Sequence, residues 1–165
     1  MLGDEITGSV NLKVRDSAQS VTEPMPRRAS IHRFENLWSR CCGATASSVN
    51  RSTAKRGSTD DFGSAELGTD LLHRYGEAGR VYHTIDHIDH CLGQFDQVRS
   101  QCVQPDAVEL AIWFHDAIYN FPAYENEKLS AAFFTQQSEK LLLSGFREDV
   151  AALIIATEHL SLIHI

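Results

Sequence analysis

The stretch Leu110-Ala-Ile-Trp-Phe-His-Asp-Ala-Ile-Tyr119 sets a histidine and an aspartate, His115 and Asp116, inside an otherwise apolar run. An ionised carboxylate buried without a partner costs several kcal/mol. A divalent cation suits both groups, because imidazole and carboxylate are common N and O ligands. The reading of the chain turns on whether further ligand-type residues fall near this pair.

Upstream, Thr84 is placed to N-cap a helix reaching about Gln101. Ile85, Ile88, Leu92, Phe95 and Val98 form its apolar stripe, His87 and His90 border it, and His83 lies one turn before His87. Pro105 opens the next helix, Asp106 to about Ile118, on which Val108, Ala111, Ile112 and His115 share a face. Two helices are thus expected to present His87 and His115 from their apolar faces, with Asp116 beside them. On these residues alone, hydrogen-bonded core histidines and a metal site between helices are both open.

Farther out, residues 1–30 mix Gly, Ser, Thr, Pro and charge without periodicity and read as a flexible tail or an upstream extension of the reading frame. A helix seed follows at Ile31–Trp38, with Phe34, Leu37 and Trp38 on one face; Gly43 to Gly63 reads as a loop. Ser64 to Tyr75 is a helix striped by Leu67, Leu71 and Leu72, and Gly76 and Gly79 frame the turn into Arg80-Val-Tyr-His83. Beyond a turn at Phe121-Pro-Ala-Tyr124, Asn126 caps a helix to about Leu143, which Ser144-Gly145 ends. A last helix carries Val150, Leu153, Ile154 and Thr157 on one face, with His159 beyond it. Helical periodicity without strand alternation predicts an all-α fold.

The chain's 165 residues suffice for one domain, and its net charge of -7 argues against a surface that coats a nucleic-acid polymer. Cys41, Cys42, Cys91 and Cys102 have no CxxC spacing and read as reduced thiols of a cytoplasmic protein. No run approaches the ~18 apolar residues of a membrane span, and no signal-peptide core is visible at the N-terminus.

Four ordered motifs, Arg80-Val-Tyr-His83 with His87-Ile88, Trp113-Phe-His-Asp-Ala-Ile-Tyr119, Asn126-Glu-Lys-Leu-Ser-Ala131 and Thr157-Glu-His159, carry a resemblance. Over about Ile31 to His159 the chain resembles the HD superfamily of metal-dependent phosphohydrolases, and more closely its small bacterial subgroup of predicted HD phosphohydrolases. The resemblance implies an HD-domain helical bundle over 31–159 that binds one or two divalent cations (Mn, Fe, Mg, Ni or Zn). It makes His87, His115 and Asp116 metal ligands, with Asp116 also bridging ions or orienting the nucleophile. His83 is a further ligand, a partner that fixes a ligand's tautomer, or a phosphate contact. Arg80 is a phosphate clamp or a surface residue in a turn. Asn126 and Glu127 orient a ligand or water, or form a helix cap and its first-turn acid. Tyr82 and Tyr119 line a substrate pocket or pack. His90 and Cys91 pack or face solvent, and His159 belongs to the site or to an ordinary helix end.

The implied activity is hydrolysis of a phosphate ester or anhydride of a small molecule, a nucleotide being one candidate. The alternative is a non-catalytic HD-like module that binds a nucleotide or a partner. The resemblance also calls for a distal aspartate on a helix after His159, where only Leu160-Ser-Leu-Ile-His-Ile165 remains. Those six residues match the translation of a transposase end used in preparing DNA libraries. The expectation is therefore that 160–165 are an appended artefact, that His164 is no ligand, and that the native chain continues.

Overall fold

The computed structural model describes residues 25–46, 63–120 and 125–158. Among them the helices run α1 (Met25–Ala46), α2 (Ser64–Tyr75), α3 (Ile85–Val98), α4 (Pro105–Phe114), α5 (Asn126–Ser138) and α6 (Ser144–Ala156), with a 3-10 turn at Arg99–Gln101 extending α3. No strand occurs among the described residues, and the fold is all-α as expected.

Helix α4 is central, because it packs against α1, α3, α5 and α6. Its sequence requires this: Ala107, Leu110, Ala111, Trp113 and Phe114 are all buried, and a helix apolar on more than one side needs neighbours on more than one side. Phe34 of α1 meets Trp113 edge-on with ring centroids 5.4 Å apart, and Phe114 meets Phe134 of α5 at 5.0 Å. Val150 and Ile154 of α6 close the other side. Helices α1 and α2 approach closely at Gly68, where a Cβ would lie 3.1 Å from Phe34 Cδ1. Away from this core, Arg33 of α1 pairs with Asp96 of α3 and with buried Glu109 of α4, tying the three helices together.

Several boundaries differ from the sequence reading. Helix α1 starts at Met25 rather than Ile31, so 25–30 belong to the fold and only 1–24 of the expected tail lie outside the described residues. Pro26 fits there because first-turn N–H groups have no intrahelical acceptor. The helix continues past Gly43 to Ala46; the rest of the expected loop, 47–62, lies outside the described residues. Helix α5 stops at Ser138, whose hydroxyl donates to the Phe134 carbonyl at 2.7 Å, and Ser144 opens α6 instead of ending α5. Most consequentially, α4 stops at Phe114, not Ile118.

Candidate metal centre

Where α4 ends, its last carbonyls lose their intrahelical donors and must be met from elsewhere. The Tyr75 hydroxyl donates to Trp113 O at 2.9 Å, and the His115 ring Nδ1–H donates to Ile112 O at 2.9 Å. Arg80, only 2% exposed along its side chain, donates through Nη1 to Asp116 O at 2.7 Å and through Nη2 to Ala117 O at 3.1 Å. The same Nη1 reaches His83 O at 3.2 Å, so one guanidinium joins the loop before α3 to the turn after α4. On the far side, Ser130 Oγ accepts from Ile118 N at 3.0 Å, and Asn126 bonds both backbone groups of Asn120. The turn 115–120 is therefore held from the α2–α3 loop and from α5, while α2 holds the last turn of α4.

That scaffold aims three histidines at one carboxylate oxygen. Asp116 Oδ2 lies 2.7 Å from His83 Nδ1, 2.9 Å from His115 Nε2 and 3.7 Å from His87 Nε2. Asp116 is buried, while the histidines are partly open to solvent. Ligand atoms of His83, His87 and Asp116 all lie within 4.8 Å of one another, close enough to share an ion.

Hydrogen-bond accounting at His115 shows what the cluster needs. Its Nδ1 must carry the proton given to Ile112 O, which leaves Nε2 facing a carboxylate. Two acceptors cannot face each other at 2.9 Å, so a proton or a cation stands between them. With the proton there, burial works against the charged ring, but the hydrogen bond and charge of Asp116 outweigh it and raise the His115 pKa above the ordinary histidine value. Burial likewise disfavours the Asp116 carboxylate, yet hydrogen bonds from His115 and His83 hold it well below the usual carboxylate range. At His87, burial and then the His115 charge push the pKa down, keeping the ring neutral and able to ligate. A His whose Nδ1–H is fixed by a backbone carbonyl, with Nε2 free to ligate, is the usual arrangement at metal sites. The donor set therefore fits a divalent cation.

The structure brings together most of the residues singled out from sequence, with changed roles for some. His83, an uncertain addition on sequence grounds, stands closest to Asp116. His115 is not on a helix face but at the C-cap of α4, and Asp116 lies in the turn beyond. Arg80 is neither a surface residue nor free to clamp phosphate, because its donors are taken by carbonyls in the interior. Asn126 does not cap α5; it is the first helical residue and its amide fastens Asn120. Glu127 is half-buried in the first turn of α5, close enough to favour the charged form of His115. Tyr119 lies against the His83 ring at 4.7 Å and Tyr82 against His87 at 4.8 Å. Cys91 is half-buried, with Sγ 3.7 Å from His87 Nε2, while His90 is exposed. Thr157 bonds Ile154 O; His159 lies outside the described residues, as do 160–165. Sequence reasoning missed Tyr75 and the fastening role of Ser130. Ser130 sits in one of the quoted motifs, but a serine within a helix carries no signal of a bond to a distant turn.

Compared with known proteins, the chain matches no family model, no curated protein and no solved structure. Among the described residues, no helix is long and apolar enough to cross a membrane.

Proposed function

We propose that this protein is a metal-dependent phosphohydrolase of the HD type, acting on a small phosphorylated molecule. The observation that carries the reading is the convergence of His83, His115 and His87 on Asp116 Oδ2, with the His115 tautomer fixed so that Nε2 faces that oxygen. His83, His87 and Asp116, whose ligand atoms lie within 4.8 Å of one another, would hold a divalent cation, with His115 as a further ligand or as the donor that orients Asp116. When bound, such an ion supplies Lewis acidity toward phosphoryl oxygens and lowers the pKa of a coordinated water.

The protein's own groups define the rest. Asp116, pinned through its backbone by Arg80, keeps a charged oxygen at the centre of the cluster without conformational search. Its orientation suits accepting a proton from, or aligning, an attacking water. Glu127, acting from the α5 side, adds negative charge beside His115. Because Arg80 is committed to the interior, phosphate charge is met by the cation and the histidines. The ligand types do not select among Mn, Fe, Mg, Ni and Zn.

The test is hydrolysis of a panel of phosphate monoesters and nucleotides by the purified chain with each metal, beside Asp116→Ala. Metal-dependent turnover, lost at least a hundredfold in the variant, is expected; turnover that Asp116→Ala retains would refute the assignment. The non-catalytic alternative predicts instead that phosphorylated ligands bind equally well after chelation and are released unchanged.

A further inference from the structure

Beside the cluster the chain exposes two successive large apolar residues, Val81 at 95% and Tyr82 at 64%. A single exposed apolar side chain is ordinary and needs no explanation. These two differ in sitting on a short loop tied by hydrogen bonds on both sides. Arg80, immediately before them, is anchored in the interior by bonds to Asp116 O and Ala117 O, and its own N–H donates to Glu77 O at 3.3 Å. Immediately after Tyr82, the Thr84 N–H turns back onto Tyr82 O at 2.8 Å, and α3 begins at Ile85. The Tyr82 ring touches site residues only at its inner side: its centroid lies 4.8 Å from that of His87 and 5.4 Å, edge-on, from that of His83.

We propose that Tyr82 is a ligand-recognition residue, a platform on which a flat heteroaromatic ring of the phosphorylated ligand stacks while its phosphate occupies the His/Asp cluster. The inference rests on the phosphohydrolase reading and adds the ring to it. A tyrosine ring already packed against His87 and His83 supplies stacking area at reduced entropic cost. Stacking engages a π face rather than a hydrogen-bond pattern. The platform therefore selects ring over no ring more strongly than it selects among bases.

The experiment titrates the manganese-loaded full chain with adenosine monophosphate, cytidine monophosphate and ribose phosphate by calorimetry, for the native protein and for Tyr82→Ala and Tyr82→Phe. Both nucleotides are expected to bind about tenfold or more tighter than ribose phosphate, the range one base stacked on an aromatic side chain provides. Tyr82→Ala should weaken the nucleotides about tenfold more than it weakens ribose phosphate, and Tyr82→Phe should keep the preference. Thermal melts check that both variants fold. Equal affinity for ring-bearing and ring-less ligands, or a preference that survives in Tyr82→Ala, overturns the platform while leaving the phosphohydrolase reading intact. Binding of none of the three to manganese-loaded protein overturns that reading, and the platform with it.

Discussion

Arg80 shows how a single side chain determines whether a site exists. Three carbonyls, those of His83, Asp116 and Ala117, depend on its guanidinium, and the side chain is out of solvent. Arg80→Met should therefore destabilise the protein by about 3 kcal/mol, the cost of leaving buried acceptors unmet, as urea unfolding would measure. Arg80→Lys should recover only part, since one ammonium cannot reproduce a planar fork directed at separate carbonyls; full recovery would show that charge alone matters. The titrating pair beside it makes a second prediction. Asp116, with its lowered pKa, favours the folded state above the ordinary carboxylate value of about 4 and loses that contribution as pH falls toward its depressed value. His115, with its raised pKa, favours the folded state fully below about 6.5 and loses the contribution as pH rises through the elevated value. His87 acts in the opposite sense on acidification, because its lowered pKa favours folding above about 6.5. In metal-free protein, the gap in Tm between the native chain and Asp116→Asn should be widest between pH about 4 and about 6.5 and narrow on either side. A gap that does not vary with pH would contradict the pairing.

Among the elements, α1 and α2 meet closely where a small residue permits it. Gly68 lets α2 lie against Phe34, which is fully buried and packed against the rings of Trp38, Trp113 and Phe114. Gly68→Ala would gain about 1 kcal/mol of helix propensity but should lose more to overpacking, about 1–3 kcal/mol. Net destabilisation of about 1 kcal/mol in denaturant melts is expected, and net stabilisation would mean that the α1–α2 contact is looser than described. Most helices could be read in the sequence because burial repeats at helical spacing. Leu67 and Leu71 on α2, and Ile85, Ile88, Leu92 and Phe95 on α3, are buried as their periodicity requires. Helix ends were less legible. The turn after α4 follows an apolar run that would support a longer helix, but Tyr75 takes the Trp113 carbonyl at the end of α4, and Arg80 and Ser130, remote in sequence, take backbone groups of the turn. Such long-range partners leave no local trace. The histidines and aspartate of the candidate site were legible as residue types, while the roles of Arg80 and Asn126 were not.

Across the described residues, α1, α3, α5 and α6 pack around α4, and the candidate site stands where α4 ends beside the loop before α3. Of the two readings the sequence left open, neither is excluded by burial alone, since neighbouring histidines supply partners for Asp116 without a metal. What the assembled fold adds is the arrangement: a pinned carboxylate oxygen, neutral His87 within 3.7 Å, and a His115 tautomer that leaves Nε2 directed at the same point. A cation bound there should stabilise the fold by mass action, raising Tm as its concentration exceeds Kd. The most direct test of the central claim is metal content by plasma mass spectrometry on the purified chain beside Asp116→Ala and His87→Ala, each confirmed folded by circular dichroism. Near-stoichiometric divalent metal in the native chain, lost in both variants, is the predicted result. Native protein that takes up no metal when divalent ions are supplied, or variants that retain it fully, would contradict the account.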